Sequence, residues 1–455
     1  SDDCELNLNC PPVYVEKPKG GYAEGIETVS YSTFVSSYAA RTPVLYVGGN
    51  DGMLHGFRAT DGVELLAYVP SSAYPQLQSL SSQNYAHRYF VDGSPTAADV
   101  FYGSQWHTVL VGGLNGGGQG IYALDVTYPA AATGVTNVSG SSTFSEANAA
   151  SLVLWEFTDR DMNSTSSTNT NFDADLGYTY SQPAIGKMAN GKWAAVFGNG
   201  YNNTNADGAA STTGNAVLYV VDVQTGQLIK KFDTGKGMTS SPNTNTPNGL
   251  ASPAIVDVDG DEIIDYIYAG DLQGNMWKFD VTNTNPSQWD SAYKSGSNPV
   301  PLFTALMGST PQPITERPEI GEHPEGGYLV YFGTGKYIET GDNSGTGQTT
   351  QTFYGIWDNG AAVGNSRSPL LQQQILAEVT SNSELWRLTS NNVPTWTGST
   401  PNKGWYIDLY NTEGGNTNNY GERQVSNPIL TNKRLVFTTL IPAANPCAYG
   451  GDSWL

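Results

Sequence analysis

At 455 residues, with 52 Gly, 27 Tyr, 38% apolar and only 14% charged residues, the chain reads as many short strands joined by tight turns, long enough to bury a sizeable all-β core. A net charge of −21, from 42 acidic and 21 basic residues scattered along the chain, leaves no basic stripe for phosphates and argues against a nucleic-acid partner. No apolar run approaches the roughly 18 residues of a membrane-spanning helix, so an integral membrane protein is not expected.

The N-terminus, "SDDCELNLNC", lacks the basic and apolar regions of a signal peptide. The chain is therefore either cytosolic or a mature or excised fragment, and its low Lys content and Asn/Thr/Gly-rich loops favour export. Cys4 and Cys10 are close enough to bridge, which leaves Cys447 without a partner. Residues 1–40 are expected to form an N-terminal extension and 41–455 a single repeat domain.

"VLYVGGNDGMLHGFRATDGVELLAYV" (44–69) opens the β-rich part with two strands and a turn into another strand. The following "SSAYPQLQSLSSQNYAH" has helix-start character after Ser71 or Ser72. Then a repeat begins. "SPTAADV" (94–100), "QPAIGKM" (182–188), "SPAIVDV" (252–258), "RPEIGEH" (317–323) and "SNPILTN" (426–432) each set a Pro before a short alternating run. Proline is tolerated at the first residue of a strand and not in its middle, so each marks an opening strand.

Most of these are followed by a strand ending in Gly and then one ending in Asp. The pairs are "VLVGG" with "GIYALDV" (109–126), "AAVFGNG" with "AVLYVVDV" (194–223), "YIYAGD" with "NMWKFDV" (266–281), and "YLVYFGTG" with "TFYGIWD" (328–358). A Thr-Gly turn at "VVDVQTGQLIKKF" (220–232) adds a fourth strand. The unit at 44–69 shows the same pattern without its opening strand. Four-stranded antiparallel units repeated in this way predict a β-propeller of about seven blades.

Opening prolines 88, 70, 65 and 110 residues apart require long insertions, expected at 71–92, 128–150, 159–180, 201–215, 282–312, 340–350 and 380–420. Apart from the first, these read as surface loops without regular structure. The final "GGDSWL" matches the start of a third strand, so the last blade is cut short or closed by another segment.

The densest chemistry lies in "DVDGDEIID" (257–265). Asp257, Asp259, Asp261 and Asp265 stand 4, 6, 8 and 12 residues after Pro253, and neither Lys nor Arg lies among them. At the same offsets from Pro95 stand Asp99, Phe101, Gly103 and His107, so the repeat itself does not require the acids. A hard dication does: calcium takes about six to eight oxygens, and alternate side chains of a tight loop converge on one point. Asp257, Asp259 and Asp261 would each supply one oxygen, Gly260 the sharp turn, Ile263 its carbonyl, and Asp265 would close the shell. The pattern is similar to the first half of an EF-hand loop, but Tyr268 occupies the position of its last glutamate and strands replace its helices. Magnesium, with stricter octahedral demands, fits less well.

Catalytic signals are sparse. His55, His87, His107 and His323 show no metal-ligand spacing, and "GGLNGGGQG" (112–120) runs into a strand where a phosphate loop would run into a helix. The ten tryptophans read as core or inter-blade packing, with sugar stacking by Trp396 or Trp405 a lesser option. Units ending in "ALDV" also resemble those of pyrroloquinoline quinone dehydrogenases, the alternative enzyme reading. Such enzymes stack their cofactor on a vicinal disulfide, and no two cysteines here are adjacent.

Taken together, "LYVGGNDGMLHGFRATDG" (45–62), "VGGLNGGGQGIYALDV" (111–126), "DVDGDEIIDYIYAGDLQGNMWKFD" (257–280) and "YFGTGKYIE" (331–339) resemble the C-terminal propeller of the PilC/PilY family of type IV pilus biogenesis factors and tip adhesins. The resemblance implies a non-enzymatic protein of the bacterial cell surface, at the pilus tip or outer membrane. It also implies minor pilins as partners and roles in pilus assembly, attachment to host or abiotic surfaces and twitching motility. In that family a calcium loop helps decide between pilus extension and retraction. The matching positions are Asp257, Asp259, Asp261, the Ile263 carbonyl and Asp265.

Overall fold

A computed structural model describes residues 11–137, 141–161, 171–205, 209–239, 246–345, 347–381, 384–411, 419–443 and 451–455. Cys4, Cys10 and Cys447, and with them the bridge expected from the sequence, lie outside those residues. The chain divides into two units, Ser1–Ile267 with Phe279–Asp290, and Tyr268–Lys278 with Ser291–Leu455.

The first unit begins with an antiparallel sheet of Val13–Val15 (β1), Val44–Gly48 (β2), Leu54–Arg58 (β3) and Glu64–Tyr68 (β4), paired in chain order. Its opening strand, which the sequence pattern lacks, is thus supplied by residues 13–15, where Val13 pairs with Tyr46 and Val15 with Val44. Three residues are too few for alternation to show. A second sheet pairs Thr96–Tyr102 (β5), Gln105–Gly113 (β6), Gly120–Asp125 (β7) and Val153–Thr158 (β8) in order. The glycine-rich 112–120 stretch is the link between antiparallel β6 and β7, as its run into a strand predicts.

The third sheet holds Ala184–Met188 (β9), Trp193–Gly198 (β10), Val217–Asp222 (β11) and Leu228–Asp233 (β12). After Ala254–Val256 (β13), the short Ile263–Ile264 strand (β14) returns to pair in parallel with β9, so the order is β12-β11-β10-β9-β14. Another sheet runs β13-β15-β16-β17, from Tyr266–Gly270 (β15), Asn275–Asp280 (β16) and Asp290–Ser291 (β17).

Within the second unit, Lys294–Ser295 (β18) and Asn298–Pro299 (β19) form a small hairpin, Phe303–Thr304 (β20) pairs with β16, and Leu306–Met307 (β21) pairs with Thr310–Pro311 (β22). Its largest sheet is ordered β23-β24-β25-β28-β26-β27, built from Glu319–Glu322 (β23), Tyr328–Gly333 (β24), Thr352–Asp358 (β25), Leu371–Ser381 (β26), Glu384–Thr389 (β27) and Gly404–Asn411 (β28). Hairpins of Ile429–Thr431 (β29) with Arg434–Val436 (β30), and of Thr439–Pro442 (β31) with Gly451–Trp454 (β32), close the chain. The 282–312 and 380–420 insertions therefore carry strands where loops are expected. Two-residue strands leave no periodicity in sequence, and polar composition masks the longer β26–β27 hairpin.

Pro95, Pro183, Pro253, Pro318 and Pro428 each immediately precede a strand, at β5, β9, β13, β23 and β29. The glycines that end the Gly-terminated strands follow from the same geometry. A Cβ on Gly48, Gly113 or Gly198 would lie 2.0 Å from Val91 O, 2.7 Å from Thr179 O or 2.2 Å from Leu250 O. On Gly270 it would meet Ile314 at 2.2 Å, and on Gly333 Gln424 at 2.4 Å. Each of these neighbours stands three or four residues before the next opening proline. The chain entering one unit thus crosses the end of the preceding second strand, and only glycine leaves room.

The core of the first unit gathers Trp106, Trp155 and Trp193 with Phe157, Phe197 and Tyr219, together with Tyr31, Phe34 and Tyr38 from helix α1 (Tyr31–Ser37). The Ser30 side chain caps this helix by accepting from Thr33 N–H. So the 1–40 stretch contributes both a strand and a packed helix. In the second unit Trp277, Phe303, Phe332, Phe353 and Tyr354 are buried, and Lys278 pairs with Asp358 at 2.9 Å inside it. Most tryptophans are core residues as expected, but Trp386, on edge strand β27, is 56% exposed.

Candidate metal centre

The loop 257–262 leaves β13, turns through Gly260 at φ +79° and Glu262 at φ +66°, and enters the sheet of β9 at β14. Its carboxylates first organise the backbone. Asp257 Oδ1 accepts from the N–H groups of Asp259 (3.2 Å) and Gly260 (2.8 Å), and its Oδ2 from Glu262 (2.7 Å). Asp259 accepts from Asp261 N–H at 3.3 Å, Asp261 from Ile263 N–H at 2.8 Å, and Asp265 from Val258 N–H at 2.9 Å. Six backbone donors therefore face four carboxylates and offset part of their charge.

Asp265 is pinned from outside the loop, its N–H bonded to Val256 O and its carbonyl to Val281 N–H, both at 2.9 Å. That fixed end brings its carboxylate to those of Asp257 and Asp259, one oxygen of each lying within 4.8 Å of the others. Burial raises the Asp265 pKa above the usual carboxylate range, and Asp259, Asp257 and Asp261 push it the same way, against the Val258 hydrogen bond. Three convergent oxygens on a half-exposed loop fit a hard dication, which would relieve that repulsion. Asp261 is not part of this carboxylate group, its side chain accepting from Ile263 N–H at 2.8 Å, and Ile263 sits in β14 opposite Lys187.

Glu262 plays a part the sequence does not announce. Both its oxygens accept from the single N–H of Ala23, at 2.9 and 3.1 Å, so the fifth acid of the cluster faces the N-terminal segment. The only sequence signal is an extra carboxylate in the middle of a metal-loop pattern.

Another group resembles catalytic machinery and fails geometrically. His107 Nδ1 lies 2.9 Å from Asp125, and the Ser141 hydroxyl donates to the same Asp125 oxygen at 2.8 Å and lies 3.3 Å from that same Nδ1. A serine nucleophile needs its base nitrogen on the side opposite the orienting carboxylate. Trp396 meets His323 edge-on at 4.5 Å, and Trp405 covers Gly355; both are engaged in packing.

A family model described as the PilY1 beta-propeller domain matches residues 7–386. The chain is 39% identical over 438 residues to a type IV pilus biogenesis factor PilY1 homolog of Xylella fastidiosa, covering 94% of this chain and 27% of that protein. It is 36% identical to the type IV pilus biogenesis factor PilY1 of Pseudomonas aeruginosa, over 93% of this chain and 35% of the relative. The chain thus spans well under half the length of these relatives. The crystal structure of the Pseudomonas aeruginosa PilY1 C-terminal domain matches with a TM-score of 0.74 and 34% identity, covering 94% of this chain and 83% of that one. Relatives named as pilus biogenesis factors do not favour the quinone dehydrogenase alternative.

Proposed function

The chain belongs to the PilY1 β-propeller family, and on that premise we propose that it is the calcium-binding propeller of a type IV pilus biogenesis protein exposed at the bacterial cell surface. Calcium occupies the 257–265 loop and biases the propeller between two binding states toward pilus components, minor pilins among them, and so shifts the balance of pilus extension and retraction. Surface attachment and twitching motility follow from pili that are assembled and worked in this way. The observation that carries the reading is the convergence of Asp257, Asp259 and Asp265 within 4.8 Å on a loop whose ends are fixed by backbone hydrogen bonds.

Asp257 is the principal ligand, because it also holds three N–H groups of the loop. Asp261 reaches the ion through a small side-chain rotation or a bridging water. When bound, the ion supplies positive charge that neutralises the cluster. Extracellular calcium modules bind at about 10⁻⁴ to 10⁻³ M, so occupancy follows the surroundings. Calorimetric titration with calcium, with magnesium as comparison, tests the reading. The wild-type chain should take up one calcium, and Asp257→Ala should lose it while keeping its β-rich circular dichroism. Equal calcium uptake by the variant refutes the assignment.

A further inference from the structure

The calcium loop is tied to the N-terminal segment at two neighbouring points. Glu262 holds Ala23 N–H through both carboxylate oxygens. Next to it, Ile263 pairs in parallel with Lys187 of β9, and the Lys187 ammonium donates to Ile26 O at 2.5 Å and pairs with Glu27 at 2.8 Å. Glu27 also accepts from Trp193 Nε1 at 2.8 Å. The segment between is seated by Tyr22, stacked on Trp106 at 5.4 Å and edge-on to Trp193 at 5.0 Å. Gly186 of β9 lets the flanks of the loop lie close, since a Cβ there would meet Ile264 at 2.9 Å and Ile255 at 3.0 Å.

The clasp and the ion site share a backbone group. Glu262 N–H donates to Oδ2 of Asp257, whose carboxylate belongs to the ion site, and this bond helps to hold Glu262 at φ +66°, a conformation that non-glycine residues adopt at a cost. Three carboxylates within 4.8 Å repel one another without a dication, which loosens the turn that aims Glu262 at Ala23. We infer that Glu262 is a positioning residue through which occupancy of the calcium loop is passed to residues 20–27, locking that segment when the ion is bound and releasing it when it leaves. This inference rests on the calcium reading of the loop. By linkage, a segment that binds more tightly to the occupied loop raises calcium affinity by the same factor.

Hydrogen exchange by mass spectrometry on the peptide spanning 20–27, in calcium and in chelator, reads the coupling directly. In the wild-type chain calcium should slow exchange there by at least about fivefold, the low end of ordinary coupling between sites. Glu262→Ala should exchange fast in both conditions yet still bind calcium, with an affinity lower by the same factor. Glu262→Gln, which keeps one acceptor oxygen and the side-chain volume, should fall between them and guards against misfolding of the Ala variant. Calcium binding by calorimetry with unchanged exchange at 20–27 overturns the coupling alone, as does calcium-dependent protection that survives in Glu262→Ala. A flat calorimetric titration of the wild type overturns the calcium reading and this inference with it.

Discussion

Replacing Asp265 with Asn should move stability in opposite directions with and without calcium. In the metal-free loop each carboxylate pair at up to 4.8 Å costs about 0.9 kcal/mol in water. Asn removes two of the three pairs and keeps an oxygen for Val258 N–H. Screening at physiological salt cuts the roughly 1.7 kcal/mol gain by about half, to roughly 1 kcal/mol. Calcium at a hundredfold excess over its dissociation constant stabilises the wild type by about 2.7 kcal/mol. A variant whose affinity falls tenfold gains only about 1.4 kcal/mol at the same concentration. Urea denaturation in chelator and in calcium measures all four states. The prediction is a variant no less stable than wild type in chelator, with the gain from calcium cut to about half. Loss of stability in chelator, or a calcium gain equal to wild type, would refute the electrostatic account of the loop.

Gly198→Ala should destabilise the chain by about 1–3 kcal/mol, because overpacking against a backbone has no cheap relief, and the new Cβ would lie 2.2 Å from Leu250 O. Gly341→Ala, with no atom within 4 Å, should leave the urea midpoint nearly unchanged. Asp358→Asn removes the carboxylate paired with Lys278 in a site where the two side chains are 0% and 8% exposed, and breaking a buried pair in this way costs about 3–5 kcal/mol by urea denaturation. Burial alone would raise the Asp358 pKa, but Lys278, Tyr268 and Tyr293 hold it below the usual range, so its contribution is present above the unfolded-state value near 3.8 and fades as pH falls through the native one. Burial pushes the Glu316 carboxyl up to about 7 from 4.5. The native state therefore binds the proton more tightly, and stability falls as pH rises through that window. Glu316→Gln should remove this slope in denaturation measured from pH 4 to pH 8, and an unchanged slope would show that another group sets it.

The all-β class, the repeated unit and its punctuation were all legible in the chain. Proline before a strand and glycine at a strand's end are local demands: the first lacks an N–H, and the second lacks the Cβ that would strike a crossing backbone, as at Gly198 and Leu250. Such demands leave a mark at one position, whatever the partner is. The spacing of Asp257, Asp259, Asp261 and Asp265 was equally legible, although Asp265 meets Asp257 and Asp259 on a backbone tied to Val256 and Val281. What only the tertiary structure decided are pairings between residues far apart in the chain. Val13–Val15 completes the first sheet, β14 runs parallel to β9, and Glu262 reaches across 239 positions to Ala23. None of these leaves a period or a motif, because the energy of each comes from a backbone group whose partner is chosen by how the sheets pack.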